Sequence, residues 1–273
     1  MTPGRHIERW RVDPGEKVRL AQRDPASTEG APGDRAQTEK AIPSLHDELF
    51  ALQDRLSAEA RRSVLVVLQG LDASGKDGTV KHVFRGVNPQ GTTVTSFKEP
   101  TAQELAHDFL WRVHKRVPAA GEIGIFNRSH YEDVLVVRVH DLVPESVWRG
   151  RYGLINAFEQ TLAERDTTVV KLFLHVSFEE QGKRLRSRLK APEKRWKAQA
   201  GDFVERKFWD SYQTAYRDML EQTSTKSAPW FVIPADHKWY RNWAVSQVLL
   251  DCLEKMDPQY PDVPPLDLPD GSL

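Results

Sequence analysis

Cysteine is almost absent from this 273-residue chain, where Cys252 stands alone. No internal disulfide can form, which points to a reducing compartment and to a small buried side chain as the residue's role. Long apolar runs are missing as well. No stretch approaches the roughly 18 residues of a membrane span, and the N-terminus has no apolar signal-peptide core, so the expected location is cytoplasmic. Net charge is absent, with 39 basic residues set against 39 acidic ones. The chain as a whole is therefore not a nonspecific polyanion binder, and any basic site must be local. His82, His107, His114, His130 and His175 show no metal-ligand spacing with Cys or carboxylates, so no zinc site is expected. No Ser/His/Asp pattern points to hydrolase chemistry. What remains is 39% apolar content with eight Trp, enough for one large α/β domain with a substantial core.

The stretch that organises the chain follows the apolar β-formers Val64 to Leu68. It reads Gly70-Leu71-Asp72-Ala73-Ser74-Gly75-Lys76-Asp77-Gly78-Thr79 and leads into Val80-Lys81-His82-Val83-Phe84. A strand, a glycine-rich turn and a helix N-terminus surround one anionic site with backbone N–H groups, and Lys76 adds a point charge. Phosphate-binding positions are thus expected at Gly70, Ala73, Ser74, Gly75, Asp77, Gly78 and Thr79. Gly70 and Gly75 supply dihedrals and close approach that a Cβ would forbid. The spacing G-x-x-x-x-G-K is that of a Walker A loop, except that Asp77 replaces the usual Ser or Thr after the lysine. That hydroxyl normally holds Mg²⁺, so the metal needs another ligand, and Asp72 is the candidate inside the loop.

In chain order, residues 1–39 mix Arg, Asp, Pro and Gly without periodicity and are read as an irregular arm. Ser44 with Asp47 forms a capping-box pattern ahead of a packing helix through Leu45, Leu49, Leu52 and Leu56. Beyond the loop, strands are expected at Thr92 to Phe97, Ile123 to Phe126, Thr168 to Val176 and Trp230 to Pro234. Helices are expected from Thr101 to Lys115, Glu145 to Arg165, Ser177 onward, Val204 to Gln222 and Lys238 to Lys255. The domain core then spans 40–256, and a proline-rich tail follows at 257–273. Five strands alternating with helices give a five-stranded parallel sheet covered on both faces: a three-layer α/β/α P-loop kinase sandwich with a helical lid near 178–202.

From Lys183 to Lys197 the chain carries eight basic residues against one acidic, a local net of 8 − 1 = +7. A solvated charged helix is one reading. With a phosphate loop upstream, a mobile lid is favoured, Arg184 and Arg188 lying one helical turn apart and able to act on one ligand. Lys194 and Lys197 would extend the track toward a long polyanion. Phe126 to Asp133 places Arg128, Glu132 and Asp133 at the C-terminal end of a strand, where α/β sheets bind ligands. Arg128 either neutralises phosphate or makes a structural ion pair. Glu132 and Asp133 either cap a helix, face a nucleotide or hold Mg²⁺. Arg85, Asn88, Phe97, Lys98, Glu99 and Pro100 mark where an acceptor nucleotide would sit in a P-loop kinase, Phe97 being equally readable as core.

With these residues in view, Ser44 to Lys255 resembles the family-2 polyphosphate kinases. The resemblance rests on Gly70 to Gly78, on Phe126-Asn127-Arg128-Ser129-His130-Tyr131-Glu132-Asp133, and on the lid from Ser177 to Lys197 with its Pro192-Glu193-Lys194-Arg195-Trp196-Lys197 ending. It implies reversible phosphoryl transfer between inorganic polyphosphate and nucleotides, dependence on Mg²⁺ with Mn²⁺ as a substitute, and a homo-oligomer, dimer or tetramer. Many members carry Phe-Asp-Arg-Ser-Trp-Tyr-Asn at the second motif. The variant with Asn127, His130 and Glu132 resembles the subclass that phosphorylates both AMP and ADP. Losing a carboxylate at 127 shifts the Mg²⁺ burden to Asp72, with Asp133 as a second candidate. Catalysis would fall to Asp72, Lys76, Arg128, Arg184 and Arg188, with polyphosphate and AMP, ADP or ATP as partners and neither nucleic acid nor membrane. Two alternatives are an ATP-dependent nucleoside monophosphate kinase and a noncatalytic polyanion-binding module.

Overall fold

The computed structural model describes residues 5–190, 192 and 200–264. Its centre is a six-stranded sheet in the order β1-β6-β5-β2-β4-β3. The strands are β1 (Arg11–Val12), β2 (Ser63–Gln69), β3 (Thr92–Ser96), β4 (Ile123–Asn127), β5 (Thr167–His175) and β6 (Trp230–Pro234). All neighbours pair in parallel except β1, which runs antiparallel to β6. The five expected strands are all present, and the sixth comes from the segment read as an irregular arm. Arg11 pairs with Phe231 and Val12 with Trp230. Two residues are too few to show a period in the sequence, so the strand is set by the free edge of β6 rather than by local pattern.

Strand β2 is buried at every position, as expected for a parallel strand with helices on both faces. Its side chains alternate between two cores. Leu65 and Val67 join Tyr131, Phe158, Phe173 and Trp230 on one side, whereas Val64, Val66 and Leu68 join Leu49, Leu56, Val245 and Leu249 on the other. Helices α1 (Arg35–Glu59) and the closing helix Lys238–Met256 cover the second face and pack on each other. Helix α1 starts earlier than its sequence signal. The N-cap is Asp34, whose carboxylate accepts from Gln37 N at 2.9 Å while Asp34 N donates to Gln37 Oε1 at 2.9 Å. Pro43 then lies inside the helix, so the Ser44 and Asp47 pair is not the start: an Asp/Gln box serves as well as a Ser/Glu one.

Two further expectations are corrected. The segment Thr101 to Lys115 is not one helix but two single turns, Ala102–Leu105 and Trp111–His114. Asp108 interrupts it by accepting from Leu110 N at 3.0 Å, a local turn that competes with helix propagation. The polar helix near 204–222 is likewise split into Ala200–Glu205, a 3₁₀ turn at Arg206–Phe208, and Trp209–Thr223. The Ser177 cap is present, with Glu180 N donating to Ser177 Oγ at 3.1 Å at the start of Phe178–Lys190.

The parallel order places the C-terminal ends of β2 and β4 side by side, with Leu68 in register with Asn127. The phosphate loop and the second motif therefore face each other. The N-terminal segment is part of the same core: the Trp10 ring is 4% exposed and meets Tyr240 and Trp243 edge-on at 6.2 and 5.7 Å. Trp10→Ala should lower stability by about 3–5 kcal/mol, the range for deleting a buried aromatic. Urea unfolding checks this; an unchanged midpoint would return the segment to a loose arm.

Candidate active site

The loop after β2 combines left-handed backbone at Ala73 (φ 63°) and Gly75 (φ 109°). The two reversals, with Ser74 N donating to Leu71 O at 3.0 Å between them, lead the chain into α2 (Lys76–Val83), whose N-terminus is a ready anion site. Ala73 bears a Cβ in this conformation, a strain of order 1–3 kcal/mol of the kind found where a site is held to shape. Three buried cations supply the restraint. Lys76 Nζ donates to the Gly70 and Leu71 carbonyls. Arg184 donates to Ala73 O at 3.0 Å, Ser74 O at 2.9 Å, Asp236 O at 2.8 Å, Ala235 O and Glu180 Oε1. Arg241, only 2% exposed, reaches Ser74 O at 3.4 Å and Asn242 Oδ1 at 2.7 Å.

Among the described residues neither Lys76 nor Arg241 has a carboxylate within ion-pair distance. Burial, with Arg128 close by, pushes the Lys76 ammonium down to about 8. Burial and the neighbouring Arg184 push Arg241 down to about 9. Both depressions come first from burial; at Lys76 the carboxylates of Asp72, Glu132 and Asp77 offset only part of it, and an anion seated in the loop would supply a close counter-charge.

At the end of β4 a second strained residue, Arg128 (φ 61°), is tied to the loop: its N–H donates to Leu68 O at 3.2 Å and its guanidinium pairs with Asp72. It also lies 3.8 Å from Glu132. Asn127 Nδ2 donates to Asp77 Oδ1 at 2.8 Å. The carboxylate that stands beside position 127 is thus Asp77, not Asp133.

A cleft of about 1260 Å³ opens in front of the loop. It brings together the sequence candidates Asp72, Ala73, Gly75, Lys76, Asp77, Gly78, Arg85, Phe97, Lys98, Arg128, Arg184 and Arg188. Gly70 and Glu132 lie instead on a small crevice behind the Asp72–Arg128 pair, lined also by Trp209, Tyr212 and Tyr216. Ser74 and Thr79 are fully buried, Thr79 Oγ1 donating to Gly75 O at 3.2 Å. Phe97 is 6% exposed and packs edge-on against Phe126 at 4.9 Å, so its ring is mostly core.

Three further candidates are not brought to the cleft either. Asn88 caps a 3₁₀ turn by accepting from Gln90 N at 3.0 Å, and Pro100 does not line the cleft. Asp133 faces Arg151 at 3.2 Å and Arg112 at 3.9 Å. Burial lifts its carboxyl to about 6 despite those arginines, and it is absent from the cleft wall. Lys194 and Lys197 fall outside the described residues.

Arg184 and Arg188 also part company. Arg188 lines the cleft and lies 3.6 Å from Asp202, whereas Arg184 spends its donors bracing the loop from beneath. Sequence reading missed one wall altogether: His46 from α1, His82 from α2, and Lys238, Trp239, Arg241 and Asn242 from the closing helix. The last four follow the C-terminal end of β6, the edge at which α/β ligands bind, and that position was the available signal.

Hard oxygen donors suited to Mg²⁺ are present in the cleft at Asp72 and Asp77. Mg²⁺ is bound through one or two carboxylates together with substrate phosphates rather than by a full protein cage, so this sparse pair fits. No cluster of three His, Cys, Asp or Glu side chains occurs among the described residues.

Gly75 is tightly constrained. An added Cβ would lie 1.8 Å from Arg241 Nη1, and the φ is one that L side chains rarely adopt. Gly75→Ala should cut phosphoryl-transfer kcat/KM at least a hundredfold, read from initial rates on folded protein. Wild-type turnover would show that neither the backbone reversal nor the Arg241 contact shapes the site.

A family model described as Polyphosphate kinase 2 matches residues 33–261. The chain is 52% identical over 255 residues to the AMP/ADP-polyphosphate phosphotransferase of Meiothermus ruber, covering 93% of this chain and 96% of that protein. It is 42% identical to the ADP-polyphosphate phosphotransferase of Rhodopseudomonas palustris, over 94% and 93% of the two chains. The crystal structure of polyphosphate kinase 2 from Arthrobacter aurescens TC1 superposes with a TM-score of 0.92 at 44% identity, over 96% and 93% of the chains. A phosphate loop braced by buried cations, a second motif docked on it and these matches together lead to one conclusion: the chain belongs to the polyphosphate kinase 2 family.

Proposed function

We propose that the protein is a polyphosphate:AMP/ADP phosphotransferase, passing the terminal phosphoryl group of inorganic polyphosphate to AMP and then to ADP, reversibly. The observation that carries this is the loop's buried positive charge, at Lys76 and Arg241, with no carboxylate at ion-pair distance among the described residues, opening on a cleft of about 1260 Å³ lined further by Arg85, Lys98, Arg128, Arg188 and Lys238. The AMP/ADP-polyphosphate phosphotransferase relative supports the choice of acceptors.

Polyphosphate lies along the wall formed by Arg188, Lys238 and Arg241, its terminal phosphates at Lys76 and the loop amides. The nucleotide occupies the opposite arm, beside Arg85, Lys98 and Arg128. An acceptor phosphate oxygen is already ionised, so no strong general base is needed. The protein's work is to hold donor and acceptor in line and to neutralise charge. Lys76 and Arg128 face the transferring group; Arg184 keeps the loop carbonyls turned away from it. Mg²⁺, held by Asp72 with Asp77 beside it, would neutralise phosphate charge. The same reading includes a dimer or tetramer and action in the cytoplasm.

The test incubates purified protein and Mg²⁺ with AMP and long-chain polyphosphate, beside a reaction with ATP as donor, and separates nucleotides by chromatography. ADP followed by ATP from polyphosphate is expected; turnover in the ATP-fed reaction alone would remove polyphosphate as donor. Asp72→Asn and Lys76→Ala should each abolish transfer while the protein stays folded by circular dichroism. Near-normal turnover in either would contradict the site.

A further inference from the structure

Behind the second motif, away from the cleft, an ionic cluster sits wholly inside the apolar core. Lys171, in the middle of β5, has no exposed surface and lies in register with Val67 on one side and Trp230 on the other. Its Nζ donates to Glu159 Oε2 at 2.6 Å, Thr223 O at 2.6 Å and Tyr131 Oη at 3.0 Å. Glu159, on the helix Glu145–Ala163 and 1% exposed, accepts at Oε1 from Tyr131 Oη at 2.6 Å and lies 3.3 Å from His130 Nε2. Burial opposes each charge, yet the facing ammonium and imidazole still hold the Glu159 carboxyl below its ordinary range. Burial lowers His130, so the neutral ring serves as a donor to Glu159.

Such a cluster is a poor way to gain stability, because well-packed apolar residues in its place are commonly neutral or better. Its placement is what it achieves. Glu159 grips two consecutive residues, His130 and Tyr131, that follow directly on Arg128 and Ser129. Ser129, also fully buried, is gripped from the other side: Gln69 Nε2 donates to its Oγ at 3.1 Å, and that Oγ accepts from Tyr131 N at 3.2 Å. Gln69 is the residue before the phosphate loop. The turn that carries Arg128 in its left-handed conformation is therefore clamped at three successive side chains, none of which touches the cleft.

We propose that Lys171, Glu159, Tyr131 and His130 form a positioning device for phosphoryl transfer, fixing the 128–131 turn so that the Arg128 guanidinium is aimed at the reacting phosphates. The four act through Arg128 and touch no substrate. A 1 Å displacement of a positioning group is enough to cost two orders of magnitude in rate, so loosening the turn reads out in kcat. Binding of polyphosphate along the rest of the cleft is little affected.

The inference rests on the reading of Arg128 as a phosphate ligand, and the test separates the two. The double variant Lys171→Met/Glu159→Leu removes both charges together and leaves neither unpaired. It leaves the buried Tyr131 hydroxyl, the His130 ring and the Thr223 carbonyl without these partners, so its melting temperature should fall; on protein still folded at the assay temperature it should lose at least tenfold in kcat for AMP phosphorylation with KM for polyphosphate within twofold. Tyr131→Phe, which deletes only the hydroxyl gripped by Glu159, should lose several-fold in kcat with KM unchanged, and it decides the matter if the double variant does not fold. Wild-type kcat in the folded double variant, or in Tyr131→Phe where that variant must decide, overturns the proposal. Arg128→Ala is the control. If it is inactive while the cluster variants are normal, the positioning role alone falls; if it is fully active, the reading of Arg128 falls and the proposal with it.

Discussion

Three cations, Lys76, Arg184 and Arg241, are buried beneath and beside one turn of backbone, and each donates to at least one of its carbonyls. Those bonds hold the loop ahead of the α2 N-terminus and concentrate positive charge there, with no carboxylate at ion-pair distance from Lys76 or Arg241 among the described residues. The rest of the architecture follows from that imbalance. The parallel sheet supplies the strand end, α2 supplies the helix N-terminus, and Arg184 ties Phe178–Lys190 to both the loop and the end of β6. The loop carboxylate Asp72 pairs with Arg128, which is itself a candidate phosphate ligand. Substrate phosphates and their metal ion are the natural completion of this charge arrangement.

The two halves of the site are joined by register rather than by sequence proximity. Leu68 opposite Asn127 places the first motif next to the second, and strained backbone on both sides, at Ala73 and Arg128, is held by buried hydrogen bonds. Strain of this kind persists only where the surroundings over-determine the conformation. The surroundings here are Arg184 and Arg241 for the loop, and Gln69, Ser129 and the Lys171–Glu159 cluster for the turn.

Much of this was legible in the sequence because the strands that build the site are short apolar runs ended by Gly, Asn or Pro, and because the loop chemistry is local. The Ser177 cap and the five parallel strands follow from local pattern, and Arg128 was placed near the loop by its position at the end of a strand, with the β2–β4 register supplying the actual meeting. What was not legible depends on distant partners. β1 needs the edge of β6. Arg184 read as a lid residue because charge runs usually face the ligand or solvent, whereas its neighbours in space are the carbonyls of residues 73, 74, 235 and 236. Asp133 was open in sequence between a helix cap, a nucleotide contact and a metal ligand, because the arginines it faces, Arg112 and Arg151, come from other elements. Lys171 was hidden in a strand pattern whose neighbours are all apolar.

The measurement that bears most directly on the loop's missing counter-charge is calorimetric titration with polyphosphate at pH 7 and pH 8.5, each in buffers of different ionisation enthalpy. The Lys76 ammonium, lowered to about 8 in the free protein, is nearly fully charged at pH 7 and mostly neutral at pH 8.5. An anion seated against it favours the charged form and raises its pKa. Proton uptake on binding should therefore be small at pH 7 and rise to about half a proton or more at pH 8.5. Binding without proton uptake at pH 8.5, or with release, would contradict a loop whose lysine awaits a phosphate.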